Sequence, residues 1–221
     1  MINFKNFILN SKLKIAIILI FLLSLYTYIC ALTYVQAVSA NLSEAVFRLH
    51  VIANSDADYD QNLKYLVRDN LLEYMNDICK DVSTKEEAIS LCYENLDTFK
   101  DIAIKVVRDN GFDYDVNLKI GNFSFPTKTY GDISFPAGMY DALRVEIGSA
   151  SGQNWWCVMF PSLCFIDVSS GVLEEDSKEL LEQNLSHESY EIVSNNSDNE
   201  IKLKFKVLEL FGNNEIFTSK K

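Results

Sequence analysis

The sequence predicts an α+β fold: a largely antiparallel sheet with two or three helices packed on one face, preceded by an N-terminal signal or transmembrane segment. Three features of the chain support this prediction. An uncharged run spans residues 15–35, helical periodicity follows between 58 and 110, and segments that alternate every second residue occupy much of 113–168. Helices that precede a group of strands are typical of α+β folds.

The N-terminal segment predicts export. Residues 1–14 contain three lysines and no acid, and the uncharged run Ile15–Val35 is long enough to cross a bilayer, which takes about 20 residues. Lysines on the near side place the N-terminus in the cytoplasm and the rest of the chain outside. Residues 1–40 are therefore expected as a signal peptide cleaved after Ala40, with an uncleaved membrane anchor as the alternative.

The remainder of the chain is strongly acidic. The net charge is −11, and without residues 1–40 the chain has 17 Lys and Arg against 31 Asp and Glu, or −14. Such a surface repels nucleic acid and anionic lipid, which excludes both as direct ligands of the folded part. We therefore expect contact with a membrane only through the N-terminal segment.

The main domain is predicted over residues 41–171, and it begins with a strand. In Glu44–Asn54 apolar residues alternate with Arg48 and His50, so we expect His50 beside Arg48 or in solvent. A helix follows from about Asp58, because apolar residues then recur at helical spacing.

A second helical stretch is predicted after a capping box at Ser83–Glu86. This stretch runs to Asn110, where the following Gly111 favours a stop. A break near Asn95 would divide it into two helices.

Strands are expected in the second half of the main domain. Residues 113–120 alternate as a strand with one wet face, and Phe125–Gly131 suits an edge segment or loop. Leu143–Ile147 and Asn154–Phe160 are predicted to pair as a β-hairpin across the turn Gly148–Gln153.

The segment 172–221 is expected to pack on the same domain. It comprises an acidic helix over Leu173–Leu185, a polar loop over Ser186–Asn199 and a last strand over Ile201–Val207.

No metal or cofactor site is predicted. The histidines His50 and His187 lie far apart in sequence, and the chain contains neither C-x-x-C nor H-E-x-x-H. Outside the cytoplasm thiols oxidise, so Cys157 and Cys164 are a possible disulfide across the turn at Pro161. Cys79 and Cys92 are either a second disulfide or buried apolar residues.

A cysteine hydrolase is the enzyme that the sequence would most readily support. Cys157, His50 and either Asp56 or Asp132 would have to converge in the fold. Cys157, however, lies in a wholly apolar run, where thiols are usually inert. We therefore predict no catalytic residues and expect that the protein is not an enzyme. The loop Pro126–Asp132 is the best candidate for a binding surface, and its alternative role is a turn that supports the hairpin.

Five segments together resemble the stage II sporulation protein R family of endospore-forming bacteria, in order and at fitting spacing from about Phe47 to Val168. They are FRLHVIANSD (Phe47–Asp56), DQNLKYLVRD (Asp60–Asp69), PTKTYGD (Pro126–Asp132), PAGMYDALRVEIG (Pro136–Gly148) and GQNWWCVMFPSLCF (Gly152–Phe165).

The resemblance implies a signal. Members of this family are made in the forespore and exported into the space between forespore and mother cell. There they trigger a membrane-embedded aspartic protease that cleaves the precursor of sigma-E. The resemblance supplies no catalytic set. Two alternatives stay open: an extracytoplasmic hydrolase of the Cys/His type, and a cell-wall or spore structural protein.

For a signalling protein of this family, the partner-binding surface is expected on the Pro126–Asp132 loop and around residues 152–156. An exposed tryptophan suits an interface anchor, and the alternative is that both tryptophans belong to the core. The candidate residues are Pro126, Thr127, Lys128, Tyr130, Asp132, Asn154, Trp155 and Trp156.

Overall fold

The structure is a computed structural model that describes residues 4–131, 133–163 and 175–194. Helices and strands alternate in groups along the chain, as the sequence predicts. In order they are α1 (Phe4–Ala45), β1 (Phe47–Ile52), α2 (Asp58–Ile78), α3 (Lys85–Glu94), α4 (Leu96–Asp109), β2 (Val116–Phe125), β3 (Lys128–Tyr130), β4 (Ile133–Phe135), β5 (Gly138–Ile147), β6 (Asn154–Phe160), α5 (Glu175–Asn184) and α6 (His187–Val193).

Four of the strands form one mixed sheet in the order β2-β5-β1-β6. β5 pairs antiparallel with β2 and parallel with β1, and β1 pairs antiparallel with β6. The short strands β3 and β4 form a separate antiparallel pair. The predicted α+β class with a largely antiparallel sheet is confirmed.

The predicted hairpin between β5 and β6 is wrong, because β1 lies between these two strands. The connection 148–153 crosses the end of β1 and is held there by hydrogen bonds. Gly152 N donates to Ala53 O at 3.0 Å, and Ser149 N donates to Asn54 Oδ1 at 2.9 Å. β1 is buried along its whole length, so it gains from a neighbour on each side. Alternation in the sequence identifies a strand but does not identify its neighbours.

Two glycines allow this crossing to lie close to β1. Gly148 has φ +56°, and a Cβ there would lie 2.3 Å from Asn54 Oδ1. A Cβ on Gly152 would lie 2.2 Å from the Ser55 carbonyl oxygen. Both positions therefore require a residue without a side chain.

The second helical stretch divides at Asn95 into α3 and α4, as predicted. The capping residue is Thr84 rather than Ser83, since Thr84 Oγ1 accepts from Glu87 N at 3.3 Å. The capping interaction is therefore shifted by one residue from the predicted box.

The long helix α1 joins the domain directly. Its segment Lys12–Ala31 is apolar and long enough to cross a membrane, and none of it is buried against the rest of the chain. The last turn behaves differently: Leu42 is fully buried, and Lys85 Nζ donates to Ser43 O at 2.7 Å. The predicted cleavage point after Ala40 falls just before this packed turn and stays a prediction.

In the described residues 175–194, the C-terminal segment contains one more helix than expected. α5 lies within the predicted acidic helix, whereas α6 occupies part of the predicted polar loop 186–199. Ser186 Oγ accepts from Ser189 N at 3.2 Å, and Val193 is fully buried. A cap and a few apolar residues therefore suffice for a helix in this polar sequence. The predicted strand Ile201–Val207 lies outside the described residues.

The sheet has two unlike faces. Helix α2 packs on the face that carries Val51 and Trp155, a cross-strand pair of β1 and β6. Arg48 and His50 point to the second face, as expected from the alternation. Both are buried, at 0% and 7% exposure, so His50 lies on the same side as Arg48 and the alternative that placed it in solvent is wrong. Aromatic side chains from β2, β4, β5 and β6 surround them.

Candidate functional site

The second face of the sheet is organised around the buried cation Arg48. Its guanidinium carbon lies 4.1 Å from the ring centroid of Phe125 and 4.7 Å from that of Tyr140. Nη2 donates to Tyr130 Oη at 2.8 Å and Nε donates to Cys157 O at 3.4 Å. No carboxylate in the described part of the chain forms an ion pair with it. Aromatic faces and neutral oxygens therefore take the place of a counterion.

Tyr130 lies beneath the predicted surface rather than on it, with 6% of its area exposed. Its hydroxyl accepts from Arg48 and donates to the Trp156 carbonyl at 3.1 Å. Burial raises the pKa of Tyr130, and the nearby guanidinium offsets only part of that rise. The phenol is therefore protonated near neutral pH and able to donate to Trp156.

The rest of the loop is tied to its neighbours by hydrogen bonds. Thr127 Oγ1 accepts a hydrogen bond from Ala137 N at 3.0 Å. The hydroxyl oxygens of Thr129 and Ser134 are hydrogen-bonded to each other at 2.7 Å. Pro126 is exposed and Lys128 is half-buried. These bonds hold the loop in place, and it presents Pro126 and Lys128 outward. Its alternative role as a support for a β5–β6 hairpin is wrong, because those two strands do not pair. Asp132 lies outside the described residues.

The two tryptophans lie on opposite faces of β6. Trp155 faces α2, where its ring meets Tyr65 edge-on at 5.4 Å and lies 4.3 Å from the Arg68 guanidinium carbon. Trp156 faces the other way and stacks on His50, with ring centroids 5.6 Å apart. The predicted surface is therefore divided: Trp156 lies with Lys128 and Asn154, and Trp155 does not.

Lys128 and His50 lie against the Trp156 ring, and Asn154 is bonded to His50. Lys128 Nζ lies 4.9 Å from the ring centroid. His50 Nε2 and Asn154 Oδ1 are hydrogen-bonded at 2.7 Å. Burial lowers the pKa of His50 to about 4, and the hydrogen bond with Asn154 offsets only part of that effect. The imidazole is therefore neutral at physiological pH.

Arg144 and Lys119 extend this group across the sheet. Arg144 is the cross-strand neighbour of both His50 and Lys119. Arg144 Nε lies 3.0 Å from Glu146 Oε1, and Lys119 Nζ lies 3.4 Å from Glu146 Oε2. Sequence reasoning missed these two cations, although their alternation with apolar neighbours already placed each on the polar side of its strand.

The residues proposed for a cysteine hydrolase do not converge. Leu49 is the cross-strand partner of Cys157, whereas His50 is the partner of Trp156, so Cys157 and His50 point to opposite faces. Cys157 is also disulfide-bonded and has no thiol to ionise. Cys164 lies outside the described residues, so its pairing with Cys157 stays a prediction.

Cys79, which directly follows α2, and Cys92 of α3 are free thiols, so the second disulfide that the sequence allowed is not formed. Burial raises the pKa of Cys79 to about 11 and that of Cys92 to about 12. Both are therefore protonated at neutral pH and unsuited to nucleophilic attack. Within residues 4–131, 133–163 and 175–194, no group of three or more His, Cys, Asp or Glu side chains is placed to hold a metal ion.

The fold and the second face of its sheet define an α+β domain that is joined without a linker to an apolar helix. The family model for stage II sporulation protein R matches residues 43–170, and the chain belongs to that family. Stage II sporulation protein R of Bacillus subtilis (strain 168) is 39% identical over 140 residues, which cover 62% of this chain and 62% of that relative. No solved structure matches the chain.

Proposed function

We propose that this protein is an exported signal of endospore formation that activates a membrane-embedded aspartic protease, which then cleaves the precursor of sigma-E. Membership of the stage II sporulation protein R family is the observation that carries the proposal. The apolar segment Lys12–Ala31 supports export from the forespore, either as a signal peptide or as an anchor. The domain would then act in the space between the two cells.

Activation by binding, without chemistry, agrees with the site. Cys157 and His50 face opposite sides of the sheet, and Cys157 is disulfide-bonded. A bound protein shifts its partner toward the active state only if it has a higher affinity for that state. The domain therefore needs a specific surface that contacts the protease on the outer side of the membrane.

Trp156 and its neighbours are the surface that we assign to this contact. Trp156 is half-buried, it lies beside the cation of Lys128, and the Asn154 amide lies next to it in the strand. Aromatic anchors next to charged groups are typical of interface hot spots. Tyr130 would contribute indirectly, by holding the Trp156 backbone from below.

Reconstitution in a non-sporulating host tests the proposal. The full chain is co-expressed with the protease and the sigma-E precursor, and precursor size is followed on a gel. We expect cleavage that requires the chain, that is lost with Trp156→Ala, and that persists with the control Tyr93→Ala, whose ring is exposed on α3. Exported, folded wild-type chain that leaves the precursor intact would contradict the proposal.

A further inference from the structure

One row of side chains crosses the second face of the sheet. Lys119 is the cross-strand neighbour of Arg144, Arg144 of His50, and His50 of Trp156. Lys128 closes the row, since its Nζ lies 4.9 Å from the Trp156 ring centroid. We call these five residues the basic face. Four of them lie on the four strands of the sheet, one on each, and Lys128 lies on β3.

The basic face carries positive charge on a protein whose net charge is −11. Within the described residues, Glu146 is the carboxylate that pairs with the row, and it is shared between Arg144 and Lys119. Lys128 forms no ion pair with any described residue. Three cations and one carboxylate leave an excess of positive charge, which attracts an anion locally.

The centre of the row also contains polar atoms without partners. Among the described residues, neither His50 Nδ1 nor Trp156 Nε1 has a hydrogen-bond partner. His50 is 93% buried, since its exposure is 7%, and its other ring nitrogen is held by Asn154. Buried polar groups in proteins are normally satisfied, so each of these two exceptions requires a physical explanation.

We propose that the basic face binds a carboxylate-rich, extended segment of the protein partner, with its carboxylates at Arg144 and Lys128 and its chain across Trp156. This inference rests on the proposed function, because the partner is the protease that the domain activates. A guanidinium pairs well with a carboxylate, and an indole ring gives the segment an apolar surface to lie on.

The small size of the face favours a short acidic segment over nucleic acid or an anionic bilayer. Charges attract over about 8 Å at physiological ionic strength. A few carboxylates therefore feel the row of cations, whereas nucleic acid or an anionic bilayer would extend over the acidic remainder of the surface.

Tryptophan fluorescence tests the binding directly, because Trp156, one of the two tryptophans in the chain, belongs to the basic face. In the full-length Trp155→Phe variant in detergent micelles, Trp156 is the sole tryptophan. This protein is titrated with a blocked deca-glutamate peptide and with the matched deca-glutamine peptide. We expect a saturable change with the glutamate peptide alone, at least tenfold weaker in 1 M salt than in 0.1 M salt.

Charge reversal locates the site. Lys128→Glu with Arg144→Glu should weaken binding at least tenfold, whereas Lys100→Glu with Lys105→Glu on α4 changes the net charge equally and should not. Lys128→Gln with Arg144→Gln repeats the test with a milder change, should the reversed pair fail to fold. Absence of saturable binding, or an equal loss in the α4 control, would overturn the proposal.

The cleavage assay separates this inference from the proposed function. If the wild-type chain binds the glutamate peptide through the basic face but never triggers cleavage, the proposed function fails. The basic face then remains a binding site for acidic segments. If wild-type chain triggers cleavage and the Lys128/Arg144 variants trigger it equally well, the protease contact lies elsewhere and this inference fails.

Discussion

Arg48 donates a hydrogen bond to Tyr130 at 2.8 Å and thereby connects the inner strand β1 to the short strand β3. Tyr130 in turn donates to the carbonyl of Trp156. The three residues are far apart in sequence, yet they form one chain of contacts from a buried cation to the basic face. Tyr130 therefore fixes the position of the surface without belonging to it.

Tyr130→Phe tests this connection. The change leaves Arg48 Nη2 and the Trp156 carbonyl without their shared partner, and an unsatisfied buried polar group costs about 1–3 kcal/mol. We expect the free energy of unfolding, measured by chemical denaturation, to fall by that amount. Tyr93→Phe removes an exposed hydroxyl and should change it by less than about 0.5 kcal/mol. Equal stability of the two variants would contradict a structural role for the Tyr130 hydroxyl.

A pH titration tests the burial of His50. Burial lowers its pKa from the ordinary 6.5 to about 4 in the folded protein, so the unfolded chain binds the extra proton more readily. The resulting stabilisation is fully present above pH 6.5 and is lost as the pH falls from 6.5 to 4. The loss approaches about 3 kcal/mol, from 1.36 kcal/mol per pKa unit.

The matched variant is His50→Gln, which keeps a polar side chain but does not titrate. The difference in unfolding free energy between wild type and this variant should shrink as the pH falls through that window. A difference that stays constant from pH 7.5 to pH 4 would show that His50 titrates alike in the folded and unfolded states.

The crossing over β1 depends on Gly152. A Cβ there would lie 2.2 Å from the Ser55 carbonyl oxygen, so Gly152→Ala must displace backbone. We expect a loss of about 1–3 kcal/mol in unfolding free energy. Gly121→Ala is the control, because the nearest atom to its Cβ would be 3.5 Å away in the flexible ring of Phe123. A Gly152→Ala variant as stable as the Gly121→Ala variant would contradict the observed crossing.

The sequence was sufficient to predict the elements but not their neighbours. Periodicity located β1, α2 and the break at Asn95, because these depend on residues close in the chain. The position of β1 between β5 and β6 depends on contacts between residues far apart in the chain. The local pattern of apolar residues does not specify which strands become neighbours. The hairpin prediction failed for this reason.

The candidate site divides in the same way. Lys128, Asn154 and Trp156 were selected from the sequence and do lie together. Adjacent positions of a strand point to opposite faces, so Trp155 could not share a surface with Trp156. The contribution of Arg144 follows from its register with His50, which only the pairing of β1 and β5 establishes.

The last turn of α1 is predicted to be part of the folded domain whether or not the segment before it is removed. Leu42 is fully buried in the domain core, although it belongs to the same helix as the apolar segment. Leu42→Ala would leave a cavity, and such changes cost about 2–5 kcal/mol. Leu22→Ala removes the same atoms from a side chain that is 52% exposed and should leave the stability of the domain unchanged. Thermal denaturation of both variants as full chains in detergent makes the comparison. If Leu42→Ala melts at the wild-type temperature, this turn does not pack into the core, and the domain begins at β1 instead.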